Sequence, residues 1–108
     1  MALYKSIKYL RDVTEARETL DLFCELQSWT VQKEIPEHVR NWEVAQDADW
    51  LSRWTYRQIK IPEGWRFHAV FLTDPVIWSY TYAEVDVRRD GTLKIQNQEL
   101  MGASSAYR

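Results

Sequence analysis

Few side chains in this chain can do chemistry, and their spacing limits what they can do. His38 and His68 are the two histidines. They lie too far apart for the His-x-x-x-His interval that turns two imidazoles toward one zinc ion on a helix face. A metal centre would need both of them plus carboxylates from distant positions. His38 follows Pro36 and Glu37, as a turn or helix start does, and His68 sits inside an apolar run that alternates like a strand. Cys24 recurs with Leu20 and Phe23 at helical spacing and reads as a small buried hydrophobe. The pairs Asp47 with Asp49 and Glu84 with Asp86 have a spacing found in metal-dependent nucleases, but also on any solvated strand or turn. With 3 glycines in the chain, a phosphate-cradling loop is not expected. These residues predict no catalytic group, no metal ligand and no cofactor, and the chain leans away from being an enzyme.

Aromatic residues make a stronger signal. Six tryptophans, at positions 29, 42, 50, 54, 65 and 78, stand beside six tyrosines and three phenylalanines in 108 residues. Such rings either fill a core or anchor a partner where one edge stays wet. Trp50, Arg53, Trp54, Tyr56, Arg57, Trp65 and Arg66 interleave rings with guanidinium groups, a mixture enriched at the centres of protein interfaces and in single-strand nucleic-acid grooves. They are the expected partner-binding patch; the alternative is a strand whose arginines lie over buried rings. Trp78, Tyr80 and Tyr82 share one face of a long strand and form a secondary aromatic face, with Ala83, Val85 and Val87 on the other. The three rings are open if only the aliphatic face is covered, and core if both are.

A formal charge of -2 and a pI near 5.7 disfavour a protein whose main task is neutralising phosphates. The single cysteine precludes an internal disulfide and points to a reducing compartment, so the cytoplasm is expected. No segment has the length of a signal sequence core or a membrane span, and no membrane association is expected. The leading expectation is a non-enzymatic intracellular protein-binding module, an accessory, inhibitory or regulatory chain whose partner is another protein or a second copy in a homodimer. A nucleic-acid module stacking bases on the rings is the runner-up. A small ligand-binding or hydrolytic enzyme is the third reading.

The elements that must position these residues follow from periodicity. Residues 2–10 alternate as a first strand. Asp12, three residues before Glu15, opens a capping box, and Val13, Ala16, Leu20, Phe23 and Cys24 then give a helical stripe, predicting a helix from Val13 to Leu26. Trp29 to Ile35 reads as a strand that Pro36 stops, and 36–53 as helix or loop. Trp54 to Ile61 and Arg66 to Leu72 flank Pro62-Glu63-Gly64 as a hairpin; Ile77 to Val87 is the longest strand, and Asp90-Gly91 turns into Thr92 to Gln96. The pattern predicts an α+β fold, with an antiparallel sheet of about four to six strands and one N-terminal amphipathic helix packed on one face. Residues 1–101 make this single domain, and 102–108 a loose tail.

Overall fold

A computed structural model describes residues 9–103. The first predicted strand, apart from its last residues Tyr9 and Leu10, lies outside them. Helix α1 spans Val13–Gln27. Its first turn is capped as the sequence implied: the Asp12 carboxylate accepts from the Glu15 amide at 3.0 Å, which satisfies a donor that has no partner inside the helix. It stops at Ser28, whose backbone turns left-handed (φ 61°) and lets Trp29 donate back to the Cys24 carbonyl at 2.8 Å. A short strand β1, Thr30–Gln32, follows. It is shorter than the predicted Trp29 to Ile35, because the chain bends at Lys33 and Glu34.

Two 3-10 turns, Glu37–Asn41 and Glu43–Gln46, lead into the one-turn helix α2, Ala48–Ser52. Asp47 caps α2 by accepting from the Trp50 amide at 3.0 Å. The rest is a meander of β2 (Arg57–Ile61), β3 (Gly64–Asp74), β4 (Ser79–Arg88) and β5 (Leu93–Ala103). Trp54 therefore belongs to the turn after α2 and not to a strand. β5 runs well past Gln96, and Gly102 and Ala103 pair with Tyr80 and Ser79, so these two residues belong to the sheet and not to a loose tail. The remainder of that predicted tail, 104–108, is outside the described residues.

All five strands form one antiparallel sheet, as expected of the α+β pattern. β3 is its centre. β4 and then β5 lie on one side of it, while β1 and β2 run end to end along the other, against Val70 to Leu72 and Gly64 to His68 respectively. At Gly64 the strands approach so closely that any Cβ would run into the Val87 carbonyl, which explains the glycine.

Each face of the sheet has its own core. On the first, α1 lays Ala16, Leu20 and Cys24 on Trp65, Phe67, Ala69, Phe71, Ala83, Val85 and Val87, so helical and strand periodicities meet as predicted. On the second, the 35–54 segment lays Val39, Ala45, Trp50 and Trp54 on Val70, Tyr80, Tyr82 and Met101. This second layer covers only one end of its face. Among the described residues no helix is long and apolar enough to cross a membrane.

Candidate functional site

Strand register lays out the uncovered end of the second face. Arg57 on β2 pairs with His68 on β3, His68 with Glu84 on β4, and Glu84 with Asn97 on β5. Paired residues of antiparallel strands send their side chains to the same face, so the four form one row across four strands. The neighbouring row toward the tryptophans places Tyr82 beside Glu99, and the row on the far side places Arg66 beside Asp86. The end of α2 and the turn after it bring Ser52, Arg53 and Thr55 to the same place. Together with Arg57, His68, Tyr82, Glu84, Asn97 and Glu99 they line a half-open cavity of about 270 Å³. That is below the roughly 300–1,000 Å³ of drug-sized ligand sites.

A directed chain of hydrogen bonds runs along the wall. A carboxylate only accepts, so the Tyr82 hydroxyl donates to Glu84 Oε2 at 2.8 Å. Its single proton being spent, the Tyr82 oxygen accepts from His68 Nδ1 at 3.0 Å. The tautomer follows: Nδ1 carries the proton and Nε2 keeps its lone pair. Nε2 is buried and has no partner. Burial, with Arg57 adding to it, holds the His68 pKa below its ordinary value, so the ring is neutral at neutral pH. Burial and the Glu84 carboxylate push the Tyr82 hydroxyl up to about 12, which keeps its proton in place.

Charges around the cavity meet in ion pairs except Glu84, which the Tyr82 hydroxyl meets, and Arg57. Arg53 Nε meets Glu99 Oε1 at 2.9 Å. On the far row Arg66 Nε meets Asp86 Oδ1 at 2.6 Å, Gln96 donates to Asp86 Oδ2 at 2.8 Å, and these contacts, Arg66 first, hold the Asp86 carboxyl below its usual range. Arg57, by contrast, is exposed and has no hydrogen-bond or ion-pair partner among the described residues.

The residues expected to bind a partner are dispersed by the fold. Trp50 and Trp54 are buried in the second core, where Trp50 Nε1 donates to the Met101 carbonyl at 3.0 Å. Trp65 is buried on the opposite face with Arg89 over its ring. Tyr56 is half-buried between Arg17, which donates to its hydroxyl at 2.7 Å, and Lys33. Arg53, Arg57 and Arg66 project onto or beside the polar row. The seven therefore make no common surface, because the 35–54 segment covers rings that an uncovered sheet would have shown. The same covering buries Tyr80 and Tyr82, and of the secondary aromatic face only Trp78 remains 43% exposed.

The other reactive candidates are spoken for. Burial pushes the Cys24 thiol up to about 11, which suits a hydrophobe and not a nucleophile. Exposed His38 rests against Trp78 at 5.0 Å between ring centroids, and its Nε2 lies 3.2 Å from the Tyr80 hydroxyl. Asp47 is a helix cap. Among the described residues no group of three or more His, Cys, Asp and Glu side chains is close enough to hold a metal ion. Ser52, Thr55, Asn97 and Glu99 were not singled out by the sequence, since nothing but register and the α2 turn brings them to His68. No protein-family model, no curated protein and no solved structure matches the chain.

Proposed function

We propose that this chain binds a small polar ligand bearing an acidic group in the cavity over the Arg57–His68–Glu84–Asn97 row. The observation that carries this reading is a small cavity lined by Arg57, a cation with no hydrogen-bond or ion-pair partner among the described residues, beside a polar wall that includes Tyr82, Glu84 and Asn97. A ligand with an anionic group places it on Arg57, and polar atoms of the ligand facing Asn97 and Thr55 fix its orientation. The volume limits it to a handful of heavy atoms.

Titration of the purified protein with a panel of small phosphates and hydroxy-carboxylates, read by thermal unfolding, tests the proposal. A ligand present at about a hundredfold its Kd stabilises by about 2.7 kcal/mol. The panel should contain at least one such ligand for the parent, and Arg57→Ala should lose the response while unfolding at an unchanged temperature in buffer alone. No response across the panel, or an equal response in Arg57→Ala, would count against the reading.

A second reading, a protein-binding module, is favoured by the tip of the β3–β4 hairpin. Val76 is exposed there, and Trp78 holds a left-handed backbone (φ 51°) that a bulky residue rarely adopts. Such a ring is a suitable anchor for a partner. Loss of a copurifying protein in a folded Trp78→Gly variant would support it.

A further inference from the structure

β5 is the outermost strand of the sheet. Among the described residues β4 is its only strand neighbour, so the far edge of this 11-residue strand carries backbone amides and carbonyls with no ladder to join. No proline interrupts it. Leu93, Ile95, Gln98 and Leu100 pair with Val87, Val85, Ala83 and Thr81 and so lie on the α1 face, where Ile95 and Leu100 are exposed. Lys94, Asn97 and Glu99 pair with Asp86, Glu84 and Tyr82 and lie on the cavity face. On a regular strand Lys94 and Glu99, an odd number of positions apart, would point to opposite faces. They share one because the pairing with β4 passes from Ile95 directly to Asn97 and leaves Gln96 as a bulge. Gln96 also turns to the cavity face, where it donates to Asp86 at 2.8 Å.

That bulge makes the edge complementary to itself. Let two copies of β5 run antiparallel about a two-fold axis between Gln96 and Asn97. Leu93 then opposes Leu100 of the second copy, Lys94 opposes Glu99, Ile95 opposes Gln98 and Gln96 opposes Asn97. Each pair lies on a single face, as antiparallel partners must, and the symmetry repeats each contact. The charges match: Lys94 has no hydrogen-bond or ion-pair partner among the described residues, and Glu99 uses one carboxylate oxygen on Arg53. On the α1 face the exposed Ile95 and Leu100 of both copies gather around Leu93. We infer that β5 is a homodimer edge, joining the sheets of two copies into one continuous sheet in this register. The pairing also brings Lys94 of the second copy to Glu99, on the lining of the cavity. A partner strand without the same bulge carries its matching groups to the wrong face, so the edge selects a second copy of this chain.

Sedimentation equilibrium of the whole chain should show a dimer at about 100 μM, well above a micromolar Kd. Lys94→Glu and Glu99→Lys each turn both copies of the ion pair into like-charge pairs, and each alone should weaken the dimer about tenfold or more. An equimolar mixture of the two variants restores opposite charges at both contacts and should dimerise as the parent does. That recovery distinguishes this register from a general loss of structure, since two damaged chains do not repair each other. Where circular dichroism shows that Glu99→Lys disturbs the fold through Arg53, Glu99→Gln takes its place: it should weaken the parent dimer and relieve the repulsion when mixed with Lys94→Glu. A parent that stays monomeric at about 100 μM, well above a micromolar Kd, would overturn the inference. So would charge variants that dimerise like the parent, or a mixture no tighter than either variant alone.

Discussion

The two faces of the sheet are covered in different ways. Under α1 the first face is closed along the helix by aliphatic and aromatic side chains, from Trp65 to Phe71 on β3 and from Ala83 to Val87 on β4. The second face changes character midway: Val70, Tyr80 and Met101 lie under Trp50 and Trp54, then Tyr82 marks the border, and beyond it come His68, Glu84, Arg66 and Asp86. A regular amphipathic helix covers a strip because its apolar stripe is continuous. A segment built of two 3-10 turns and one helical turn covers only where its large rings reach, and the sheet beyond must satisfy its own polar groups. The cavity arises at that border.

If both faces are load-sharing cores, truncation on either should cost comparably. Trp54→Ala is expected to cost about 3–5 kcal/mol and Leu20→Ala about 2–5 kcal/mol in urea unfolding, because both side chains are buried and leave cavities. A Trp54→Ala protein as stable as the parent would show that the tryptophan layer is a loose cover. Trp54→Phe refines the point: Trp54 Nε1 is buried without a partner, so exchanging it for a ring with no donor should cost less than about 1.5 kcal/mol.

The polar end should respond to charge where the helix face does not. Asp86→Asn weakens the bonds from Arg66 and Gln96 and should cost about 1.5–3 kcal/mol at neutral pH, the range for hydrogen bonds to a charged group. The Asp86 carboxyl is lowered in the fold, so its contribution is full above the unfolded value near about 3.9 and is lost as pH falls through the folded one. The gap between parent and variant should therefore shrink in acid. Invariance of that gap with pH would disprove the linkage.

His68 shifts at a higher pH. Its folded pKa lies below the unfolded value, so the unfolded chain binds the proton first and stability declines as pH falls from about 6.5 toward the folded value. Arg57 and Arg66 reinforce this direction and Glu84 and Asp86 oppose it. His68→Gln should flatten that part of the stability profile, as followed by thermal unfolding across pH, and an unchanged slope would mean that the ring is not the group titrating. The smallest effect is expected at the hairpin tip. Trp78→Gly relieves a left-handed strain of about 1–2 kcal/mol but forfeits the contact with His38, so the net change should stay within about 1 kcal/mol.

Local signals were legible in the sequence wherever one residue decides one turn. Asp12 before Glu15 marked the start of α1, the stripe Ala16–Leu20–Cys24 its buried side, and Asp90-Gly91 the last hairpin. Alternation placed Tyr82 and Glu84 on one face. What alternation cannot supply is register: His68 meets Glu84 only because four residues, Pro75 to Trp78, connect β3 to β4 with a bulge between Leu72 and Asp74. Nor could it say which rings are covered. The 35–54 segment has no single period, since it changes from 3-10 to α within twenty residues, and its packing on Tyr80 and Met101 is a long-range choice. The arginine and tryptophan cluster looked like a surface because the cover that hides its rings is not readable from the rings themselves.

The bond from the Trp50 indole to the Met101 carbonyl spans 51 residues of sequence, and it ties the cover to the last strand in time as well as in space. During synthesis at about 5–20 residues per second, the indoles of Trp42, Trp50 and Trp54 emerge several seconds before the wall they will rest on exists. Until β5 arrives and pairs with β4, the nascent chain carries its largest rings uncovered.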